Sequence, residues 1–376
     1  MSQSPPILLA YVACWAELEA AAIRGEQLTH VNYAFACIAE GKVVNFMAAN
    51  YARLAETDAA LAALGYEGAC AKEDAGLGLA AQLKAAHPHL KVLISIGGWA
   101  AEGFSDAALS AASREVFAES ALAFMHRHGF DGLDLDWEYP CSALGGIRAR
   151  PEDRQNFTAL LQLLREKLDA ASDVENRRGS ARYVLSIATG VIPAHLEGVD
   201  LRQIAPLLDF IGLMTYDLYN GWSTRSGHHA NLFGSNSDPS GDSADGAVRL
   251  FRAAGVPASK LLLGAAFYGR GMSGVSAENL GLMQTSEPGS NFTRTYDEIR
   301  AALGTSGWNR YWDEAAQAPY LYDSQSRSFL SYEDADSLRS KARYVLEHGL
   351  GGAMFWEYSN DRRAELLGVL YEALRR

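Results

Sequence analysis

The segment DGLDLDWEYP, residues 131–140, alternates apolar and acidic side chains with a period of two. This period is typical of a β-strand, in which successive side chains point to opposite faces. One face of the predicted strand is apolar and the other carries Asp134, Asp136 and Glu138. Residues two apart lie roughly 6.5 to 7 Å apart along one face, so these carboxylates form a ladder. Asp131 has the other parity and is expected at the start of the strand or facing away.

The crowding of negative charge gives this strand a predicted chemical role. No Lys or Arg occurs within residues 131–140 to compensate the carboxylates. Like charges this close cannot all ionise cheaply, so at least one pKa should be raised. A carboxyl that keeps its proton near neutral pH can act as a general acid. The alternative is an edge strand with a solvated acidic face, which the Leu and Trp residues of the opposite face and the closing Tyr-Pro disfavour.

Outward from this strand, short apolar segments alternate with amphipathic helical segments along the whole chain. The apolar segments are residues 6–15, 28–38, 90–99, 130–140, 183–190, 208–219, 260–269 and 350–359. Most are continuously apolar, which is typical of parallel strands buried on both faces. Several helical segments end in His or Arg followed by Gly, a common helix stop. Eight strands alternating with helices predict an α/β protein with a (β/α)₈ TIM barrel rather than a doubly wound sheet.

One longer segment after the seventh strand interrupts this alternation. Residues 271–328 are rich in Gly, Ser, Trp and Tyr, and their pattern indicates strands and turns. We therefore predict a small α+β insertion domain at 271–328, between strand 7 and helix 7 of a barrel formed by residues 1–270 and 329–376. Near its start, GRGMSG (269–274) matches the GxGxxG pattern of dinucleotide sites, but no helical pattern follows it.

Composition and charge exclude several classes of protein. The 376 residues carry a net charge of −12 without a basic cluster, which argues against a nucleic-acid partner. No apolar segment approaches the length of a membrane span, so we expect no membrane partner. Neither a CxxC pair nor the spacing of a zinc site occurs among the four cysteines, Cys14, Cys37, Cys70 and Cys141. We expect no metal or other cofactor and a monomeric protein, and a Cys14–Cys37 bridge stays open.

The N-terminal sequence MSQSPPILLAYVACW lacks the pattern of a signal peptide. It has no basic region followed by an apolar core and a small-residue cleavage site. The protein is then cytoplasmic, is exported by another route, or has already been processed.

Polar and aromatic side chains collect where the predicted strands end. They are Ser95 and Trp99 (third strand), Glu138 and Tyr139 (fourth), Tyr216 and Asp217 (sixth), Tyr268 and Arg270 (seventh), and Trp356 and Glu357 (eighth). The carboxyl ends of barrel strands lie at one face, where barrel enzymes have their active sites. Residues from distant parts of the chain are therefore predicted to form one site.

Several of these residues belong to motifs of one enzyme family. DxxDxDxE is matched by Asp131, Asp134, Asp136 and Glu138. The other matches are SxGG (Ser95, Gly97, Gly98), MxYD (Met214, Tyr216, Asp217), FYGR (Phe267 to Arg270) and a strand-eight tryptophan (Trp356). With these motifs the chain resembles the chitinases of family 18 of the glycoside hydrolases, from about residue 7 to residue 360. The insertion after strand seven is similar to that of the deep-cleft branch of the family.

The resemblance implies an enzyme that cleaves β-1,4 linkages of N-acetylglucosamine in chitin or chitooligosaccharides with retention. Glu138 would be the general acid. The N-acetyl oxygen of the substrate would attack the anomeric carbon and give an oxazolinium intermediate, since this family is an exception to the rule of two catalytic carboxylates. Asp136 would orient the acetamide and share a proton with Asp134, and Tyr216 and Asp217 would hold the acetamide from the other side. This activity implies an extracellular location.

Aromatic and polar residues near the strand ends are the predicted substrate-binding residues. They are Tyr11, Phe35, Trp99, Tyr139, Met214, Trp222, Tyr268, Arg270 and Trp356. For Trp99, Trp222 and Trp356 we favour stacking on sugar faces over a place in the core, because pyranose faces pack flat on aromatic rings. Trp356 would be the apolar floor under the reacting sugar. Trp137, with the opposite parity to the carboxylates, is predicted to be a core residue.

Other polar residues have simpler interpretations. For Arg270, an ion pair within the protein and a contact to substrate are equally favoured. His228 and His229 are interpreted as polar loop residues rather than metal ligands, because no third ligand lies at a suitable spacing. Glu357 is interpreted as structural.

Two other functions stay open. A non-catalytic chitin-binding lectin of the same family would typically lack the acid, whereas Glu138 is present. An endo-β-N-acetylglucosaminidase acting on N-glycans often lacks the insertion and the FYGR motif, both of which are predicted here.

Overall fold

The computed structural model describes residues 5–16, 18–46, 77–304 and 307–375. Its strands are β1 Ile7–Ala13, β2 His30–Ala39, β3 Lys42–Asn45, β4 Lys91–Gly97, β5 Gly132–Asp136, β6 Val184–Thr189, β7 Phe210–Leu213, β8 Leu261–Ala266, β9 Tyr268–Met272, β10 Asn291–Thr295, β11 Asn309–Asp313, β12 Ala318–Asp323, β13 Ser328–Ser331 and β14 Gly352–Trp356. Its α-helices are α1 Gly78–Ala86, α2 Phe104–Ala107, α3 Ala111–His128, α4 Asp153–Val174, α5 Leu201–Ile204, α6 Ala244–Ala253, α7 Tyr296–Ala302, α8 Ala335–Glu347 and α9 Glu365–Leu374.

The main sheet has the strand order β1-β14-β8-β7-β6-β5-β4-β2-β3, and β1 also pairs with β2. The pairs β1–β14, β14–β8, β2–β4, β4–β5 and β5–β6 are parallel, whereas β3 is an antiparallel addition to β2. Parallel strands in this order, separated by helices along the chain, have the topology of a (β/α)₈ barrel. The predicted fold class is confirmed, and each of the eight predicted segments contains one strand of this sheet.

The chain divides into two compact units, one of Met1–Tyr11 with Gly212–Arg376 and the other of Val12–Ile211. In the second unit, every residue of β5 is buried and helices α3 and α4 contribute fully buried side chains such as Phe117 and Leu161. Burial of such a side chain stabilises the fold by about 1.5 to 3 kcal/mol.

Helix α3 shows how the sequence sets the ends of a helix. Ser110 and Ser113 form a capping box at its start, in which each side chain accepts a hydrogen bond from the other residue's backbone N–H. The helix ends at Gly129, whose φ of 70° is a conformation that glycine adopts without cost. These ends place Phe130 and Asp131 at the entry to β5.

A second sheet is antiparallel and follows the seventh barrel strand. Its order is β10-β9-β13-β12-β11, and helix α7 begins with a capping box between Thr295 and Glu298. Its core includes Met272, Val275, Leu282, Tyr320, Tyr322 and Phe329. The predicted domain boundaries, 271 and 328, fall within β9 and at the first residue of β13, and an independent insertion domain stays a prediction.

The motif FYGR is divided between the two sheets. Barrel strand β8 ends at Ala266, and the Phe267 N–H still donates to the Trp356 carbonyl at 2.8 Å. Tyr268 and Arg270 then pair antiparallel with β10, so their placement at the end of strand seven was wrong. They begin the second sheet instead.

Within the described residues, no helix is both long and apolar enough to cross a membrane. Cys14 and Cys37 are not joined by a disulfide, so the bridge left open by the sequence is not formed. Cys70 lies outside the described residues.

Candidate active site

The carboxylate ladder begins in β5 and continues past its end. Asp134 and Asp136 are buried in the strand, and Glu138 is half-buried two residues beyond it. Strand β4 approaches closely here, because the Gly98 N–H donates to the Asp136 carbonyl at 2.9 Å. At Gly97, opposite Asp136, a Cβ would lie 2.1 Å from that carbonyl oxygen. The glycines of SxGG therefore allow the two strand ends to come together.

Asp134 is held on both oxygens by serines of the neighbouring strands. Ser95 Oγ donates to Oδ2 at 2.8 Å, and Ser186 Oγ donates to Oδ1 at 2.6 Å. Both serines are in register with Asp134, one on β4 and one on β6. Since Asp134 is fully buried, these charge-assisted bonds replace its hydration. Ser95 was expected from its motif, whereas Ser186 was missed, although it is a hydroxyl inside the apolar segment 183–190.

Asp136 lacks such support. Its side chain is buried, and Oδ1 has no hydrogen-bond partner in the described part of the protein. Burial raises the pKa of Asp136 well above its usual value, and the charges of Glu138 and Asp134 raise it further. The expectation that at least one carboxyl of this ladder has a raised pKa is confirmed at Asp136.

Asp131 lies immediately before β5, one of the two placements predicted for it. Its Oδ1 accepts from Lys84 Nζ at 2.9 Å and from an Arg177 amino group at 3.0 Å, and Oδ2 accepts from the Val92 N–H at 3.1 Å. The segment itself has no cation, but the fold supplies two from other elements. Asp131 therefore anchors the start of the strand.

The residues on either side of Glu138 are buried aromatic rings. Trp137 stacks on Phe104 with 5.2 Å between ring centroids and an interplanar angle of 10°, which confirms it as a core residue. Tyr139 stacks on His195 at 4.1 Å and 11°. Sequence reasoning missed His195, and nothing in the local sequence around it indicates this contact.

Two other predicted binding residues of this unit differ in exposure. Phe35 is buried against Gly98, where a Cβ would lie 2.7 Å from its ring. Trp99 is 46% exposed, which excludes the core interpretation for it. An exposed tryptophan next to the SxGG turn is available to stack on a sugar.

A second group of polar residues belongs to the other unit and centres on Asp217. Its Oδ1 accepts from Arg270 Nε at 2.7 Å and from the Tyr268 hydroxyl at 2.8 Å. Its Oδ2 accepts from an Arg270 amino group at 2.6 Å, so the guanidinium binds as a fork. Tyr216 packs edge-on against Tyr268 at 6.2 Å, and its hydroxyl contacts Met354 Sδ at 3.8 Å. Arg270 therefore makes the ion pair that was one of its two interpretations.

The charges around Asp217 set its ionisation. Burial alone would raise its pKa, but His229 and the Arg270 guanidinium together hold the pKa of Asp217 well below its usual range. His229 Nδ1 lies 3.6 Å from Oδ1, which is beyond the usual length of a hydrogen bond. Burial lowers the pKa of His229 despite this carboxylate. Asp217 is thus a fixed anion.

His228 and His229 lie in the loop between β7 and α6, which agrees with their interpretation as polar loop residues. Both are buried, because each pairs with a carboxylate: His228 Nε2 lies 3.2 Å from Asp313, and His229 lies beside Asp217. In the described ranges, no group of three His, Cys, Asp or Glu side chains could hold a metal ion.

The remaining predicted binding residues of this unit are aromatic or apolar. Trp356 is half-buried, packs near Tyr216 and Tyr268, and lies 5.8 Å from the buried ring of Tyr11. Met214 is half-buried, and Trp222 is 70% exposed. Glu357 accepts a hydrogen bond from the Ser359 N–H at 2.9 Å and is structural, as interpreted.

Comparison with known proteins places these residues in one family. The family described as glycosyl hydrolases family 18 matches residues 7–361. Chitinase A1 from Niallia circulans is 42% identical over 308 residues, which cover 77% of this chain and 43% of that protein.

Two solved structures are similar over nearly the whole chain. Chitinase ChiW from Paenibacillus sp. has a TM-score of 0.92 and 42% identity over 99% of this chain and 43% of its own. An N-acetylglucosaminidase of family 18 from Paenibacillus barengoltzii has a TM-score of 0.85 and 38% identity, over 98% of this chain and 99% of its own. This chain thus spans less than half of chitinase A1 and of ChiW. It belongs to family 18 of the glycosyl hydrolases.

Proposed function

We propose that this chain is a chitinase that hydrolyses β-1,4 linkages between N-acetylglucosamine units, with retention and through an oxazolinium intermediate. Membership of family 18 and the presence of Glu138 support this proposal. The observation that carries it is the buried Asp136, whose pKa is raised by burial and by its carboxylate neighbours, two residues before the half-buried Glu138.

Glu138 is the general acid in this proposal. It is the one carboxyl of the ladder that is not fully buried, so it can reach a glycosidic oxygen. Protonation of the leaving group by a positioned acid contributes about 10²- to 10⁴-fold to the rate. Asp136, between Glu138 and the fixed Asp134, hydrogen-bonds the acetamide nitrogen and exchanges its proton with Asp134.

The nucleophile comes from the substrate. A protein nucleophile in a retaining glycosidase needs a carboxyl about 5 to 5.5 Å across the bond from the acid. Asp136 ends β5 only two residues before Glu138, and the period-two pattern puts both on one side of the segment, which does not suit attack on the opposite face. Both oxygens of Asp217 are engaged by Arg270, and Tyr268 also binds one of them. The acetamide oxygen of the substrate is then the available nucleophile.

Tyr216 and Asp217 act on the same acetamide in this proposal. The fixed anion Asp217 and the neighbouring phenol orient the group, and Trp356 gives the reacting sugar an apolar surface. Trp99 and Trp222, which are both exposed, bind further sugars of the chain by stacking.

The test is a product time course on chitohexaose with analysis of the anomers. We expect the β-anomer to form first, and Glu138→Gln to lose turnover while it still binds chitooligosaccharides. Glu166→Gln is the matched control, because Glu166 is an exposed residue of α4 whose Oε1 accepts from Gln162 within the same helix. Near-normal turnover in Glu138→Gln would overturn the assignment of the acid.

Substrate assistance has its own test. Fully deacetylated chitosan oligomers should not be cleaved, because a free amine has no carbonyl oxygen to attack the anomeric carbon. A thiazoline analogue of the oxazoline should inhibit competitively. Trapping of a sugar on Asp136 or Asp217 would contradict this mechanism. Release of monomers only would favour an N-acetylglucosaminidase, and release of glycans from a high-mannose glycoprotein would favour the N-glycan alternative.

A further inference from the structure

We propose that His195 is a positioning residue for the general acid, acting through the ring of Tyr139. This inference rests on the proposed role of Glu138. His195 belongs to none of the motifs of the chain, and it follows a different barrel strand, β6.

Glu138 needs support because it lies outside the sheet. Strand β5 ends at Asp136, whose carbonyl accepts a hydrogen bond from Gly98. The residues on either side of Glu138 are Trp137 and Tyr139, and both of their side chains are buried. Their packing therefore sets the direction of the acid.

The two rings are fixed in different ways. Trp137 is held by the core, stacked on Phe104 and edge-on to Phe157 at 5.4 Å. Tyr139 stacks on the imidazole of His195 at 4.1 Å between centroids and 11° between planes. Tyr139 is only 6% exposed, so the imidazole is part of the cover that keeps this ring in place.

His195 is itself held firmly. It lies in a short 3₁₀ helix, Pro193–Leu196, and its N–H donates to the Ile192 carbonyl at 3.0 Å. A Cβ at Gly190 would lie 2.4 Å from His195 Nδ1, so the ring packs directly on the glycine backbone. The imidazole therefore has little room to move away from Tyr139.

The same loop also packs on the residue after Tyr139. A Cβ at Gly198 would lie 2.0 Å from the Pro140 carbonyl oxygen. The loop is anchored by Arg154, which donates to the Glu197 carbonyl at 3.2 Å, and by Asp200, which caps α5. Tyr139 and Pro140 thus both pack on the loop that contains His195 and Gly198.

Loss of the imidazole would open a space beside Tyr139 and let residues 138–140 shift. A misplacement of about 1 Å can cost on the order of 10²-fold in rate, because the acid must meet the leaving oxygen in line. Because the ring of Tyr139 is buried, whereas Trp99 and Trp222 are exposed for sugar stacking, KM should change little. Burial also lowers the pKa of His195, which keeps the ring uncharged near neutral pH and suits it to stacking.

The experiment compares kcat and KM for His195→Ala, His195→Leu and His195→Phe on a chitooligosaccharide. We expect the Ala and Leu variants to lose kcat by about 10- to 100-fold at nearly constant KM. The Phe variant, which restores a flat ring, should recover most of the activity. His348→Ala is the matched control. His348, the C-cap of α8, stacks on Tyr344 of that helix with 3.8 Å between ring centroids and 20° between ring planes. This substitution should lower the melting temperature without lowering kcat.

Each outcome decides the inference. Normal kcat in folded His195→Ala, or in His195→Leu if the Ala variant does not fold, would overturn it. Failure of His195→Phe to recover would show that the imidazole acts by its nitrogen atoms and would equally overturn the stacking role. Glu138→Gln, measured in parallel, separates the two proposals. Full activity in that variant defeats the acid assignment, whereas an inactive Glu138→Gln beside a normal His195→Ala defeats the His195 inference alone.

Discussion

The two serines that bind Asp134 allow the role of the ladder to be tested without changing a carboxylate. Ser95→Ala removes the donor to Oδ2, and Ser186→Ala removes the donor to Oδ1. Both positions are fully buried, so no water from the surface replaces the lost hydroxyl. Each variant therefore leaves one oxygen of a buried carboxylate without a donor that it has in the native protein.

The expected magnitude follows from the loss of one hydrogen bond to a charged group, which is worth about 1.5 to 3 kcal/mol. This energy stabilises Asp134 as an anion and so helps to keep the proton on Asp136. Each ~1.4 kcal/mol is a factor of ten in an equilibrium constant. The equilibrium constant for transfer of the proton from Asp136 to Asp134 should therefore rise by roughly 10- to 100-fold. We expect kcat to fall by about tenfold or more, with KM little changed, because Asp136 acts on the acetamide in the transition state.

The assay is the pH dependence of kcat on a chromogenic chitobioside, together with unfolding by denaturant. Ser172→Ala is the matched control, because Ser172 is a fully buried residue of α4. Its hydroxyl donates to the Leu168 carbonyl and accepts from the Tyr183 N–H. This variant should lose about as much unfolding free energy as Ser95→Ala and Ser186→Ala, while its pH dependence of kcat should stay unchanged. A Ser95→Ala or Ser186→Ala enzyme with unchanged kcat and pH profile would refute the idea that Asp134 controls the proton on Asp136.

Three further predictions concern other groups. Tyr216→Phe should lower turnover more than it weakens binding, because its hydroxyl would act on the acetamide as this becomes a nucleophile; a rise in KM alone would contradict this. Arg270→Lys keeps the charge but loses the fork to Asp217, whose side chain is 35% exposed and screened by solvent. It should cost about 1 kcal/mol in unfolding free energy, and an effect on KM alone would indicate a substrate contact instead. Asp361, buried at the start of α9, has a pKa raised by burial from 3.8 to about 6. Because the folded state binds this proton more tightly, wild-type stability should fall by about 2 kcal/mol more than that of Asp361→Asn as pH rises from about 4 to 7. An equal difference between the two proteins at both pH values would contradict this.

The barrel could be predicted from the sequence because its strands are buried on both faces. Such strands are apolar throughout, and helices with clear stops separate them, so their number and order are visible in the chain. The end of the seventh strand was not visible, since the apolar segment continues to Tyr268 while the backbone has already turned into a second sheet after Phe267. Hydropathy does not distinguish a buried parallel strand from a buried antiparallel one.

The site was predictable where its residues are neighbours in the sequence and less so where they meet only in space. The period-two pattern placed Asp134 and Asp136 on one face of β5. Ser186 binds Asp134 and His195 stacks on Tyr139, and each partner lies roughly 50 positions further along the chain. The local sequence does not indicate such pairs. His229 lies in a loop, as the sequence indicated, but its burial and its carboxylate neighbour Asp217 could not be predicted from the local sequence.

The four carboxylates of residues 131–138 differ in their surroundings, and these differences explain how they can lie so close together. Asp131 is paired with Lys84 and Arg177, and Asp134 accepts two serine hydroxyls, so each has partners that stabilise its charge. Asp136 is as deeply buried as they are, yet one of its oxygens has no partner in the described residues. A buried anion without partners costs more free energy than a buried acid, so the proton is bound where the protein provides least compensation. Repulsion alone predicts that some carboxyl has a raised pKa, and the burial that the fold imposes raises the pKa of Asp136.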